Sequence, residues 1–242
     1  MRGVSARLRR ARAGQRRGPG PQRRRSQRRR LVALAAAAAA AAVVALILLG
    51  DALRDGSGGL QHTAPAEGFT LGSADAPVLI TAWEDFQCPA CRAANVSALR
   101  QIEADYVNTG KARIQFRQFP FLGAESVSAA EASQCAADQH RFWDYHDALF
   151  DAQRGENSGA FAKTKLKQIA ADLGLDTVAF DACFDEGQHK DSVQAEKQEG
   201  LKLGVNATPT FFVNGRRVAD WRDYAAFRSL IEDALAGAKA GN

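Results

Sequence analysis

The chain has 242 residues, 46% of them hydrophobic, and a formal net charge of +5. That charge describes neither end of the chain: 13 of the 32 basic residues are Arg within residues 1–30, so residues 31–242 carry 19 basic against 27 acidic residues. The basic head has the composition of a nucleic-acid-binding arm, but the apolar segment directly behind it argues against nucleic acid as a partner.

Residues 31–49 form a run of 19 uncharged, apolar residues behind the basic head. A helix of that length spans about 28 Å, close to the hydrocarbon core of about 30 Å in a bilayer. Arginines before the run predict a cytoplasmic N-terminus and place the rest of the chain on the other side of the membrane. The sequence therefore predicts a single-pass protein of the cell membrane, anchored through residues 31–49.

A cleaved signal peptide is one alternative for this segment, and a twin-arginine signal at Arg28-Arg29-Arg30-Leu31 is another. We favour an uncleaved anchor because the run is longer than the apolar region of a signal peptide, which has about 7–15 residues. All three interpretations export the rest of the chain. Residues 50–67 are rich in Gly and polar residues and predict a flexible linker, and residues 68–242 are enough for one folded domain.

The sequence Cys88-Pro89-Ala90-Cys91 stands between a predicted strand and a predicted helix. Residues 78–83 form a short run rich in β-branched and aromatic residues, which is typical of a buried strand. Residues 92–106 carry apolar residues at steps of three or four, at Val96, Leu99, Ile102 and Tyr106, which predicts one amphipathic helix. Pro89 suits the first helical position, where its missing N–H leaves no hydrogen bond unmade.

A cysteine at a helix N-terminus is favoured as a thiolate, because unpaired N–H groups and the helix dipole stabilise negative charge there. The pKa of Cys88 is therefore expected below its usual value of about 8.5. Cys91, one turn later, is close enough to form a disulfide with it, and such a pair is suited to thiol–disulfide exchange.

Three other interpretations of the motif are weaker. A zinc site lacks a second ligand pair at similar spacing, and c-type haem attachment lacks a His at Arg92. A structural disulfide would close a very short loop and stabilise little. We therefore expect neither a metal nor an organic cofactor.

The remaining elements follow in order. Residues 112–119 alternate with period two and predict a second core strand, and residues 123–204 are helical in pattern throughout. Thr210–Val213 predicts a strand, Asn214-Gly215 a hairpin turn, and residues 223–235 a last helix.

A second pair of cysteines, Cys135 and Cys183, lies on apolar faces of the helical region, 48 positions apart. Outside the cytoplasm such a pair is expected to be oxidised, and closing its loop would contribute about 4 kcal/mol. Two buried unpaired cysteines, or a redox relay with the CxxC pair, are the alternatives. His146 is interpreted as a packing and hydrogen-bonding residue rather than a general base.

Three motifs together match one family: Asp85-Phe86-Gln87-Cys88-Pro89-x-Cys91, Phe142-Trp143-x-Tyr145-His146 and Gly204-Val205-x-x-Thr208-Pro209-Thr210-x-x-Val213-Asn214-Gly215. With the order of elements, they resemble the α/β thioredoxin fold in its DsbA-like form, where a helical domain (here about residues 123–204) interrupts the core. The resemblance covers about residues 69–235 and is closest to membrane-tethered bacterial members. It implies a cis peptide bond before Pro209 and a Thr208 backbone that pairs with bound substrate.

The sequence departs from that family in two places. Relatives often carry a buried proton-accepting acid on the strand before the CxxC, and Ala82 stands at the position that we align with it. Glu84 and Asp85 are the candidates to replace it. Strongly oxidising members often have a His inside the CxxC, whereas Pro89 and Ala90 stand here, so one electropositive contribution is missing.

The sequence thus predicts an extracytoplasmic, membrane-tethered oxidoreductase that forms disulfides in exported proteins with free thiols. Cys88 is expected to hold the mixed disulfide with the substrate and Cys91 to resolve it. The resemblance implies reoxidation by a quinone-linked membrane protein. A reductase or isomerase on the same fold is the first alternative, and a non-catalytic, membrane-bound binding or chaperone module is the second.

Overall fold

The computed structural model describes residues 62–240. The basic head, the predicted membrane anchor and the predicted linker up to residue 61 lie outside these residues. Among the helices that are described, none combines the length and the apolar composition needed to cross a bilayer.

In the described part of the chain, six strands form one mixed sheet in the order β1-β2-β4-β3-β5-β6. The strands are β1 Ala66–Glu67, β2 Thr70–Leu71, β3 Val78–Glu84, β4 Ala112–Gln118, β5 Thr210–Val213 and β6 Arg216–Arg217. The central strand β3 runs parallel to β4 and antiparallel to β5. Because β3 is paired along both edges and covered on both faces, its sequence is apolar almost throughout.

Eight helices accompany the sheet within the described residues: α1 Pro89–Asn95, α2 Ala98–Ile102, α3 Ala124–Ala137, α4 Phe142–Ala152, α5 Lys163–Asp172, α6 Thr177–Glu186, α7 Lys190–Lys202 and α8 Tyr224–Ala240. Helices α3 to α7 lie between β4 and β5 in the chain. The parallel pair β3 and β4 is connected through α1 and α2, which is the crossover that parallel strands require.

The single helix predicted over residues 92–106 is wrong in one respect. The structure has α1, α2 and a π-helical turn at Glu103–Val107 instead. Between α1 and α2 the Ser97 hydroxyl donates to the carbonyl oxygen of Ala93 at 2.6 Å. A serine bonded in this way bends a helix. Val96, which the periodicity placed on the apolar face, is 52% exposed as a result, while Leu99 and Ile102 remain buried.

The fold also reaches further towards the N-terminus than residue 68. Strand β1 pairs with β2 in antiparallel fashion, and Ala64 is buried. The ring of His62 lies 3.0 Å from a carboxylate oxygen of Glu103 and 3.2 Å from one of Asp147. Residues 62–67, which the composition assigns to the linker, are therefore part of the folded domain, because distant side chains provide their partners.

The two faces of the sheet bury different layers. On one face Phe211 of β5 packs against Phe227 of α8, with ring centroids 5.2 Å apart. On the other, Trp83 and Phe119 lie beneath α7. A Cβ atom at Gly200 of α7 would lie 2.8 Å from Cδ2 of Phe119 and 3.0 Å from Cε3 of Trp83, so only glycine allows this close approach.

Candidate active site

The CxxC motif occupies the turn from β3 into α1. The Cys88 N–H donates to the carbonyl oxygen of Asp85 at 2.9 Å, and Cys88 has the extended backbone of a residue that precedes a helix, with φ −72° and ψ 116°. Pro89 opens α1. Cys88 is 7% exposed and Cys91 is fully buried, and both are free thiols. A reaction partner can therefore reach the first sulfur before the second.

The Cys88 thiol is set up to ionise. A hydrogen bond from Cys91 lowers the pKa of Cys88 to about 6, against the effect of burial, and the backbone N–H groups of Cys91 and Ala90 contribute in the same direction. The Thr208 carbonyl, which accepts from Cys88 Sγ at 3.3 Å, favours the protonated thiol.

Cys91 and Glu84 form a buried acid pair behind it. Burial raises the pKa of Cys91 well above its usual range, and the bond to Cys88 and the charge of Glu84 add to this effect. Burial likewise raises the pKa of Glu84 to about 8, although Asn95 donates to its Oε2 at 2.6 Å. Among residues 62–240, nothing hydrogen-bonds its Oε1. At neutral pH Glu84 therefore holds a proton beside Cys91.

Asp85, the other candidate acid, has a different position and a different set of partners. Its two carboxylate oxygens accept from the N–H groups of Gln87 and Phe121 at 2.8 Å, from the N–H of Leu122 at 3.1 Å and from the hydroxyl of Ser126 at 2.7 Å. With four donors, this side chain fixes the segment after β4 against the motif. Of the two acids, Glu84 is the one placed to exchange protons with the thiols.

The segment before β5 brings Thr208 to the motif across 120 positions of sequence. The Thr208–Pro209 peptide bond is cis. The Thr210 hydroxyl donates to the carbonyl oxygen of Ala207 at 2.8 Å, and Arg217 Nη1 donates to that of Gly204 at 3.1 Å. These bonds hold the backbone of this segment beside Cys88.

Two residues at the end of α4 make hydrogen bonds to the CxxC turn that the sequence does not predict. The side-chain amide of Gln153 donates to the carbonyl oxygens of Phe86 at 2.7 Å and Cys88 at 3.1 Å. Arg92 Nε donates to the carbonyl oxygen of Phe150 at 2.9 Å. No local pattern marks Gln153, since its partners lie more than 60 positions away.

His146 of α4 is buried near the same turn. Its Nδ1 lies 2.8 Å from Asp147 Oδ1, and burial lowers its pKa. Its ring packs against Phe86 and Phe116, with centroids 5.8 and 5.2 Å away. This environment is that of the packing and hydrogen-bonding residue that the sequence indicates.

The second pair of cysteines is bonded. A disulfide joins Cys135 of α3 to Cys183 of α6, with an S–S distance of 2.00 Å. Nearby, His189 Nε2 lies 2.7 Å from Asp138 Oδ2. Donor atoms of Cys135, Cys183 and His189 lie within 4.8 Å of one another, but the two sulfurs are bonded to each other and are not free to hold a metal.

Comparison with known proteins places these features in context. A family model described as thioredoxin matches residues 65–233. The disulfide bond formation protein D of Bacillus subtilis is 31% identical over 181 residues, which cover 69% of this chain and 77% of that protein. The crystal structure of oxidised BdbD from Bacillus subtilis superposes with a TM-score of 0.66 at 26% identity, covering 70% of this chain and 93% of that one. α-DsbA1 from Wolbachia pipientis, at 24% identity, has a similar fold, with a TM-score of 0.64 and coverage of 74% and 96%.

Proposed function

The chain belongs to the DsbA-like family of thiol–disulfide oxidoreductases with a thioredoxin-like α/β fold, and from this premise we propose that it forms disulfides in exported proteins through Cys88 and Cys91. One observation carries the proposal: two thiols three residues apart have opposite acidity, with the pKa lowered to about 6 in Cys88 and raised in Cys91. A sulfur that ionises easily is also a good leaving group, so Cys88 suits the release of substrate.

The reaction begins with the Cys88–Cys91 disulfide. A substrate thiolate attacks Cys88 Sγ, a mixed disulfide forms, and Cys91 leaves as a thiolate. Because the pKa of Cys91 is high, it takes up a proton, and the carboxylic acid of Glu84 is the donor beside it. A second substrate thiolate then attacks the substrate sulfur and releases the Cys88 thiolate. Two electrons pass from the substrate dithiol to the enzyme, and the substrate gains its disulfide.

Substrate chains are proposed to lie along the backbone of Thr208, next to Pro209. The Thr208 carbonyl already faces Cys88 Sγ at 3.3 Å. Main-chain pairing does not select particular side chains, so this contact suits an enzyme with many substrates. The buried position of Cys91 restricts the substrate to the first sulfur.

The location of the catalytic domain is part of the proposal. Residues 1–30 are the cytoplasmic head, residues 31–49 the membrane anchor, and the chain from residue 50 onwards lies outside the cytoplasm, where dithiol oxidation is useful. The reduced form of the catalytic domain is reoxidised by a quinone-linked membrane protein. Protease added to intact cells stripped of their wall should cut the catalytic domain; protection of residues 68–242 would contradict this topology.

The direct test is oxidation of a reduced, unfolded substrate protein with several cysteines. The full chain, in detergent and in the oxidised state, should convert substrate thiols to disulfides, and the Cys88→Ser variant should not. Oxidation that survives Cys88→Ser would sink the proposal, because no other cysteine in the described fold combines access with a low pKa. Oxidation that is lost in Cys88→Ser would exclude the binding or chaperone module.

The direction of exchange is decided by the reduction potential of Cys88–Cys91 in glutathione buffers. A value above about −200 mV supports an oxidase, and one near −270 mV supports the reductase alternative. The Pro89-Ala90 dipeptide removes one electropositive group, whereas the remaining bonds to Cys88 still favour its thiolate. We expect a potential on the oxidising side of that range.

A further inference from the structure

The C-terminal end of α4 contacts the CxxC turn from the inserted helical region. The amide of Gln153 donates to the carbonyl oxygens of Phe86 and Cys88, on either side of Gln87, at 2.7 and 3.1 Å. Arg92, on α1, donates back to the carbonyl oxygen of Phe150 at 2.9 Å. Three hydrogen bonds thus connect the inserted region to the motif, and their partners in the motif lie within four residues of Cys88.

The chemistry of Gln153 fits this position closely. Both of its neighbours are carbonyl oxygens, which only accept, so the NH2 end of the amide must face them and both of its N–H groups are used. The Cys88 carbonyl also accepts from the Arg92 N–H at 3.2 Å, the bond that starts α1. Gln153 therefore bonds to the peptide group that joins the reactive cysteine to α1. The nitrogen of that peptide group belongs to Pro89, which has no N–H, so the group can be held only through its carbonyl oxygen.

We propose that Gln153 is a positioning residue of the active site: it fixes the backbone of Phe86 and Cys88 so that Cys88 Sγ stays aimed at the first N–H groups of α1. The role of Cys88 as the attacked sulfur rests on the proposed function. The positioning itself does not, because it concerns where one sulfur lies relative to one helix.

Loss of this contact has a defined consequence. The N–H groups of Ala90 and Cys91 stabilise the Cys88 thiolate, and they do so only while the turn keeps the sulfur in front of them. When the two carbonyls lose their common donor, the turn gains freedom and these bonds lengthen, so the pKa of Cys88 rises. The thiolate fraction at mildly acidic pH then falls, while at high pH, where every molecule is ionised, nothing changes.

Gln153→Met isolates this effect because it removes both donors without changing charge or chain length. The titratable and charged groups around Cys88 stay in place: Cys91 and Arg92 on α1, and Glu84 and Asp85 at the end of β3. The segment 204–209 contains no charged residue. Gln168→Met is the matched control, since its amide donates to Asp172 at 2.7 Å on the exposed face of α5, away from the motif.

The experiment follows alkylation of Cys88 in the reduced full chain across pH, with mass spectrometry assigning the labelled peptide. In Gln153→Met, Cys88 should be alkylated about twofold more slowly than in the wild type, or slower still, at pH 6, which corresponds to a rise in the pKa of Cys88 of about half a unit. At pH 9 it should be alkylated at the wild-type rate. Gln168→Met should match the wild type throughout. A folded Gln153→Met protein with the wild-type profile would overturn the proposal.

A second measurement needs no variant. In the reduced wild-type protein, both side-chain amide protons of Gln153 should exchange with solvent at least tenfold more slowly than those of Gln168, as seen by NMR. Exchange at the same rate would overturn the proposal even if Gln153→Met failed to fold. Either failure leaves the proposed function standing, which falls only if Cys88→Ser retains dithiol oxidation.

Discussion

The chain holds two pairs of buried cysteines, and the structure treats them in opposite ways. Cys88 and Cys91 are free thiols at a turn between a strand and a helix, with one pKa lowered and the other raised. Cys135 and Cys183 are bonded and tie α3 to α6. Burial is nearly the same, at 7% and 0% exposure for the first pair and 2% and 6% for the second. Burial alone therefore does not decide whether a cysteine reacts.

Two features separate the pairs. The first pair has backbone N–H groups, a facing carbonyl and a protonatable acid, Glu84, at its sulfurs, whereas the second lies between helices with Asp138 and His189 at its edge. The loops also differ in length. Through the entropy that it removes from the unfolded chain, a disulfide over 48 positions stabilises the fold by about 4 kcal/mol, and one over three positions by about 2 kcal/mol. On the proposed function, the first pair exchanges disulfides and the second stabilises the fold.

The largest effect expected from this difference is in covalent trapping. Cys91→Ala should accumulate mixed disulfides with substrate, stable until a reductant is added, because the resolving thiol is gone and Cys88 keeps its access. The Cys88 thiolate of this variant attacks a substrate disulfide, bonds to one sulfur and releases the other as a thiolate, so the probe is a substrate protein that contains disulfides. Non-reducing electrophoresis of the full chain with that protein will show the adducts. Cys88→Ala should trap few and the Cys135→Ser/Cys183→Ser variant none beyond wild type. Equal trapping by Cys88→Ala would contradict the division of roles assigned to the first pair.

The second prediction concerns stability. The Cys135→Ser/Cys183→Ser variant should lose about 4 kcal/mol of unfolding free energy through loop entropy and keep its dithiol activity below its unfolding temperature. Chemical denaturation of the oxidised proteins measures the first, and oxidation of a substrate protein measures the second. If a folded double variant were inactive, the second pair would be a redox relay and the contrast between the pairs would fail.

The third prediction tests Glu84, the buried acid beside the first pair. Glu84 keeps its proton in the fold up to about pH 8 but loses it near pH 4.5 in the unfolded chain. The folded state therefore binds the extra proton, and stability is lost as pH rises through this window, by on the order of 3 kcal/mol between pH 5.5 and 7.5.

Glu84→Gln should remove that decline. The difference in unfolding free energy between variant and wild type, measured in the oxidised state so that Cys88 and Cys91 do not titrate, should grow with pH across the window. A difference that is independent of pH would show that Glu84 is ionised in the fold. The step that gives its proton to Cys91 would then need another donor.

The smallest effect is expected next to the second pair. His189 and Asp138 are partly exposed, with side chains 24% and 53% accessible, so their contact should be worth less than about 1 kcal/mol. His189→Gln should change the unfolding midpoint little and leave exchange at the first pair unaltered. A marked increase in the reducibility of Cys135–Cys183 in this variant would show that the second pair also has tuned surroundings.

The sequence allowed prediction of those parts of the site that are local in the chain. A β-branched run, CPAC and an apolar period place Cys88 at the start of α1, and Asn214-Gly215 marks a hairpin in which both residues have positive φ, 45° and 80°. The position of Thr208 beside Cys88 was implied by the family resemblance and is not encoded locally. The thioredoxin-like α/β fold is confirmed by the order of strands and by the comparisons.

What could not be predicted depends on contacts between distant segments. Glu84 and Asp85 are neighbouring acids in the sequence, and only their partners separate them: Asn95 for one, and four donors on Gln87, Phe121, Leu122 and Ser126 for the other. Gln153 has no signature of its own. The break at Ser97 was missed because periodicity reports which face is apolar and does not report a hydroxyl that bonds the preceding turn.

Gly200 sets the thickness of the layer behind the sheet. The last turn of α7 rests directly on Trp83 and Phe119, and the chain leaves that helix at Lys202 to reach Thr208 six residues later. Because Gly200 has no side chain, α7 packs in direct contact with the two rings, and this contact limits where the segment after α7 can begin. A larger side chain there would clash with both rings and push the last turn of α7 away from them. The placement of the substrate-binding segment proposed at Thr208 therefore depends on packing behind the sheet, at a residue outside that segment.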